Sequence, residues 1–140
     1  MNKGDFRILV VDDEPDWVTT NRKALVRGGY AVDGASGGGE ALALAKRAAY
    51  HLAFLDINMP DMEGIALIDR LRAIHPGMAV IMLTGYGTAE KNAQARQKGI
   101  SDFLEKIGPS GDRLLGEEML ALADEAYARA AAAGKGGRKA

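Results

Sequence analysis

The chain has 140 residues, 47% hydrophobic and 26% charged, the size and make-up of one globular domain. A formal net charge of −1 excludes a whole-chain field drawing nucleic acid or an anionic membrane. The absence of cysteine excludes disulfides, thiolate metal sites and a cysteine nucleophile, and fits a reducing cytoplasm.

Met1 to Arg7 carries charges and no long apolar run, unlike a secretory signal, and no later segment approaches the ~20 apolar residues of a membrane span. Ile8 to Val11 is an unbroken apolar run, the pattern of a strand buried on both faces, and it stops at Asp12-Asp13. Pro15 suits the first turn of a helix carrying Trp17, Val18, Ala24 and Leu25, which Gly28-Gly29 end. Tyr30 to Val32 is a weaker strand. Ser36 to Gly39 reads as a loop before an Ala- and Leu-rich helix from Glu40 to Ala49.

Leu52 to Leu55 is the next apolar run, and it too ends at an aspartate, Asp56. Pro60-Asp61 and Gly64 mark a loop. Ile65, Leu67, Ile68, Leu71 and Ile74 then recur at helical spacing as far as His75-Pro76. Ala79 to Leu83 predicts a strand stopping at Thr84-Gly85, followed by a polar helix from Thr88 to Lys98 that Gly99 caps. Ile100 to Leu104 predicts the fifth strand, with Glu105-Lys106 after it. A last helix is expected from near Asp112, carrying Leu114, Leu115, Met119, Leu120 and Leu122. The domain is placed at residues 1–126; residues 127–140 read as an Ala/Gly-rich basic tail, frayed and mobile. Its few charges, without interleaved aromatics, predict no direct DNA binding.

Strands alternating with helices imply βαβ units, a parallel sheet and right-handed crossovers with helices on both faces. Five such units give an α/β, doubly wound (βα)5 architecture of flavodoxin-like strand order 2-1-3-4-5. In such a sheet ligands bind beyond the carboxyl ends of the strands. That rule gathers Asp12, Asp13, Asp56, Thr84 and Lys106 on one edge: three carboxylates, a hydroxyl and an ammonium. Crowded carboxylates repel, and a hard divalent ion such as Mg²⁺ relieves the repulsion while taking few protein ligands. An aspartate can accept a phosphoryl group as an acyl phosphate, with Lys106 pairing to the anion and the Thr84 hydroxyl donating to it.

Taken singly, the parts have plainer roles. Asp12-Asp13 could cap a helix, Asp56 could precede a turn, Thr84 could be a strand end and Lys106 a solvated charge. The glycines from Gly34 to Gly39 lack dinucleotide spacing and read as a flexible turn. His51 and His75 read as structural, and Trp17 as half-buried packing close enough to the acidic pair to report on it by fluorescence.

Together they resemble the receiver domain of two-component response regulators: Asp12-Asp13 within VVDDEPD, Asp56 within FLDINMPDMEG, Thr84 within LTGYGT, and Lys106 closing the run from Gly99, over about residues 6–125. The resemblance implies phosphorylation of Asp56 by a histidine kinase, a phosphotransfer protein or a small phosphodonor. It implies Mg²⁺ bound directly by Asp13, through water by Asp12, and by the Asn58 backbone carbonyl. Thr84 and Phe103 would form the switch pair and Lys106 the phosphate contact, with Asn58 and Tyr86 tuning hydrolysis. Output would pass through the face of helix four, strand five and helix five, which could also pair two copies. Receivers usually follow the lysine with proline. Here Ile107, Gly108 and Pro109 follow it, so a trans bond or a reshaped loop is expected, with the aim of Lys106 and the start of the last helix altered.

The reading is therefore a cytoplasmic, non-enzymatic phosphoacceptor that acts through a partner. Three rivals differ from it: a receiver segment of a longer transcriptional regulator or hybrid kinase, a degenerate receiver used as a scaffold, and a Mg²⁺-dependent phosphatase. The last needs a substrate pocket and lid, and no insertion is long enough to supply them.

Overall fold

The structure, a computed structural model, describes residues 1–57, 59–84, 89–105, 107–108, 111–112 and 116–137. Asn58, Tyr86, Lys106, Pro109, Leu114 and Leu115, singled out above, lie outside the described residues, as does the Thr84 side chain.

After a 3₁₀ turn at Lys3–Asp5 the chain alternates: β1 Arg7–Val11, α1 Pro15–Arg27, β2 Ala31–Ala35, α2 Gly38–Arg47, β3 Leu52–Asp56, α3 Gly64–Ile74, β4 Ala79–Thr84, α4 Ala89–Gln97 and β5 Asp102–Glu105. Two short strands, β6 Ile107–Gly108 and β7 Gly111–Asp112, precede α5 Gly116–Gly137. The first five strands form one parallel sheet of order β2-β1-β3-β4-β5, the expected doubly wound arrangement.

The unbroken apolar runs follow from a sheet covered on both sides. Alternate residues of one strand enter different cores: Ile8 and Val10 face α1 and α5 with Trp17, Leu25 and Met119, whereas Leu9 and Val11 face α2 and α3 with Ala41, Leu67 and Ile68. All five residues of β3 are buried, as a central strand requires. Gly29 (φ 104°) and Gly99 (φ 71°) take the left-handed conformation after α1 and α4, a shape other residues rarely adopt. No helix among the described residues is long and apolar enough to cross a membrane.

Several boundaries differ from expectation. β2 extends to Ala35, because β1 offers partners along its whole length, Val11 pairing with Ala35. β5 begins at Asp102 rather than Ile100; its ladder starts opposite Ile81, and Ser101 N–H donates to the Val80 carbonyl before it. α5 does not begin near Asp112. Asp112 lies in β7 opposite Ile107, with Gly108 opposite Gly111, so the stretch after Lys106 is a small antiparallel hairpin whose backbone pairing delays the helix to Gly116. At its far end α5 crosses the expected 126/127 boundary and stays helical to Gly137; the Tyr127 hydroxyl donates to the Met1 carbonyl at 2.8 Å and its ring meets Phe6 edge-on.

Candidate functional site: an acidic cluster at the sheet's carboxyl edge

β1 delivers Asp12 one residue beyond its last rung, where Asp12 N–H donates to the Ala35 carbonyl at 3.1 Å and fixes the turn against β2. Asp12 is buried, and its Oδ1 accepts the Glu14 N–H at 3.0 Å, which shapes the entry into α1. Asp13 is exposed. β3 delivers Asp56 as its last residue, 7% exposed. One carboxylate oxygen from each of Asp12, Asp13 and Asp56 lies within 4.8 Å of the others.

The neck beyond Asp56 is tightly closed. Ile57 N–H donates to the Leu83 carbonyl at 3.3 Å, and Gly64 N–H donates back to the Ile57 carbonyl at 2.8 Å. A Cβ at Gly64 would stand 2.1 Å from the Asp56 carbonyl oxygen, so only glycine lets α3 begin this close to the site.

These oxygens fit a hard divalent cation. Mg–O distances of about 2.0–2.1 Å span roughly 4 Å across one ion, so small side-chain rotations bring the carboxylates onto a shared centre. The donor set is all oxygen, and one of its members faces solvent, the mixture of carboxylate and water that this ion favours.

The structure thus brings Asp12, Asp13 and Asp56 together and places Thr84 at the carboxyl end of the neighbouring strand β4. Asn58 and Lys106 lie outside the described residues. Phe103 is half-buried on β5, with its ring under Arg96, whose guanidinium carbon is 4.7 Å from the centroid. Trp17 is buried rather than half-buried and opens α1 just past the acidic pair. The histidines have local partners: His51 Nδ1 accepts the Arg7 N–H at 3.1 Å, and His75 Nε2 lies 2.7 Å from the Ala45 carbonyl.

One feature was not foreseen. The glycine run is no flexible turn: Gly37 is the N-cap of α2, and Gly38 and Gly39 are its first residues. Their N–H groups donate to Asp61 in the loop after β3, Gly38 to Oδ1 at 3.1 Å and Gly39 to Oδ2 at 3.0 Å. The available signal was three glycines opening a helix, whose bare N–H groups call for an acceptor.

The comparisons agree with this geometry. The response regulator receiver domain family matches residues 8–115. The transcriptional regulatory protein ZraR of Salmonella typhimurium is 35% identical over 107 residues, 76% of this chain; the match spans only 24% of ZraR's length. A CheY-like receiver domain protein from Methanospirillum hungatei superposes with a TM-score of 0.74 at 34% identity, covering 89% of this chain and 98% of that one. The beryllofluoride-activated NtrC4 receiver domain superposes with a TM-score of 0.75 at 32% identity, covering 88% and 97%. Sheet order, acidic edge and sequence match converge, and the chain belongs to the receiver domains of two-component response regulators.

Proposed function

We propose that Asp56 is the phosphoacceptor of this receiver and that Asp12, Asp13 and the Asn58 carbonyl hold Mg²⁺ beside it. What supports this reading is the meeting of three carboxylates within 4.8 Å where β1 and β3 end. An Asp56 oxygen attacks the donor phosphorus; an O–P bond forms and the bond from phosphorus to the donor's nitrogen or oxygen breaks. The donor leaves with the bonding pair, and an acyl phosphate results. Bound Mg²⁺ supplies charge neutralisation for the phosphoryl oxygens. Asp12, held by the Glu14 N–H, orients the cluster from within, while exposed Asp13 meets the solvent-facing side. Lys106 pairs with the transferred group and Thr84 donates to it.

The donor is a sensor histidine kinase or a phosphotransfer protein, and the domain is a cytoplasmic signalling module rather than an enzyme turning over a foreign substrate. Recruitment of Thr84 and Lys106 by the new charge remodels the face of α4, β5 and α5, with Phe103 as the moving ring. The same face is a candidate dimer contact; the similar NtrC4 receiver is a dimer in its beryllofluoride-activated form. A receiver working inside a longer regulator is favoured by one observation, that the match fills only 24% of ZraR. Sequencing the reading frame beyond Ala140 separates that arrangement from a stand-alone one.

Intact mass after incubation with acetyl phosphate and Mg²⁺ tests the site. One phosphoryl group is expected on the wild-type chain, dependent on Mg²⁺ and absent from Asp56→Asn. No gain in wild type with Mg²⁺ bound would leave a scaffold; a gain retained in Asp56→Asn would move the acceptor elsewhere.

A further inference from the structure

We infer that Asp61 is a positioning residue for the phosphoacceptor site, its carboxylate latching the loop that follows Asp56 onto the bare glycine N-terminus of α2. This role presupposes the reading of Asp56 as phosphoacceptor.

The loop joining β3 to α3 has two anchors. Its neck is closed by the Gly64 N–H to Ile57 carbonyl bond, one residue past Asp56. Its tip is held by Asp61, which accepts from Gly38 and Gly39 with a separate oxygen for each, 3.1 and 3.0 Å away. Those N–H groups have no partner inside α2, and the positive end of a helix favours a carboxylate, so hydrogen bond and dipole act together. In agreement, the bonds from Gly39 and Gly38 hold the Asp61 carboxyl below the ordinary carboxylate range.

The glycines are explained from the same side. A Cβ at Gly37 would stand 2.7 Å from Asp61 Oδ1, and one at Gly38 would stand 2.9 Å from the Cβ and Sδ of Met62. Gly37 is extended (φ −177°, ψ 179°), a shape any residue adopts, so the approach of the loop, and not backbone strain, calls for glycine there. Glycine is a poor helix former, and three in succession at a helix start are disfavoured unless close approach requires them. Without the tip anchor the loop would pivot at Ile57, beside Asp56. With it, the loop and α2 move together.

The test compares the full wild-type chain with Asp61→Ala, Asp61→Asn and Gly37→Ala, the last pushing the carboxylate away from the opposite side. Mg²⁺ affinity is read from Trp17 fluorescence, and phosphoryl gain from acetyl phosphate by intact mass. Melting is measured without metal, and Gly38 and Gly39 amide signals are followed during Mg²⁺ titration. Groups supporting a metal site typically change affinity 10–100-fold; for an exposed latch, Mg²⁺ binding and phosphoryl gain should both weaken about 3- to 10-fold in Asp61→Ala and Gly37→Ala. Asp61→Asn, which keeps one acceptor oxygen, should fall between. In wild type the Gly38 and Gly39 amides should respond to Mg²⁺, and in Asp61→Ala that response should vanish.

Mg²⁺ affinity and rate within about twofold of wild type, with only the melting temperature lowered, would make Asp61 a helix cap and overturn the positioning role. Gly38 and Gly39 amides indifferent to Mg²⁺ in wild type would overturn it as well. Should the wild-type chain bind Mg²⁺ yet take no phosphate, the phosphoacceptor reading fails, and the Mg²⁺ and amide comparisons still decide the latch.

Discussion

Asp12 and Asp13 are neighbours in sequence with different surroundings: Asp12 is buried and accepts the Glu14 N–H, while Asp13 faces solvent. A strand that ends in two carboxylates can therefore supply an inner, oriented oxygen and an outer, accessible one. The histidines illustrate the opposite case, in which a titratable group is structural. Burial, followed by the charges of His75 and Arg7, lowers the His51 pKa below its ordinary 6.5. Its Nδ1 accepts the Arg7 N–H, so a proton there breaks a backbone-to-side-chain hydrogen bond that ties the start of β1 to the residue before β3. For a base with a lowered folded pKa, the unfolded chain binds the proton first. Its stability contribution is thus full above about pH 6.5 and is lost as pH falls below that value and through the lowered folded pKa. The wild-type melting temperature is expected to fall between pH 7 and 5 with a slope that His51→Gln reduces, as scanning calorimetry at several pH values would show. The acidic residues were legible because each ends an apolar run. Asp61 was not, since its partners lie 22 and 23 residues away at the start of α2 and nothing local signals the pairing.

Among the elements, β3 and α4 differ sharply in burial. Phe54 and Leu55 on β3 are wholly buried, one in each core. Phe54→Ala is expected to cost about 3–5 kcal/mol in a urea titration, because cavity formation adds to lost transfer energy; a loss under about 1 kcal/mol would mean the core collapses around the gap. α4 reads Ala-Glu-Lys-Asn-Ala-Gln-Ala-Arg-Gln, and Ala95 is the one wholly buried side chain among its described residues. An element whose described residues bury so little apolar area is expected to open more readily than β3, as amide exchange would show. The five strands of the parallel sheet and the helices between them could be read directly from apolar runs, helical spacing and turn residues. The starts of α2 and α5 could not: the distant Asp61 carboxylate meets α2 where it begins at Gly38, and a short β6–β7 pairing stands before α5 at Gly116.

Across the whole molecule, the sheet separates two cores, one shared with α1 and α5 and the other with α2 and α3, and the acidic cluster stands at the carboxyl edge between them. A charge added at Asp56 is expected to be felt at α4 by way of β4, which pairs with β5, where Arg96 lies over Phe103. Phosphorylation is expected to shift the amide resonances of α4 and β5 more than those of β2 and the start of α1; unchanged α4 and β5 spectra on a fully phosphorylated sample would refute the coupling. The sheet, its strand order and the aspartates at its edge were legible from the residues alone. Apolar runs, helical periods and turn residues are local properties, and right-handed crossover leaves few ways to assemble them. Only the tertiary structure decided that the three carboxylates approach within 4.8 Å, that a glycine run receives Asp61, and that the segment after Lys106 pairs with itself. The first two join groups whose nearness depends on the packing of separate elements, which no local pattern encodes; the third is a short-range pairing, Ile107 with Asp112 and Gly108 with Gly111.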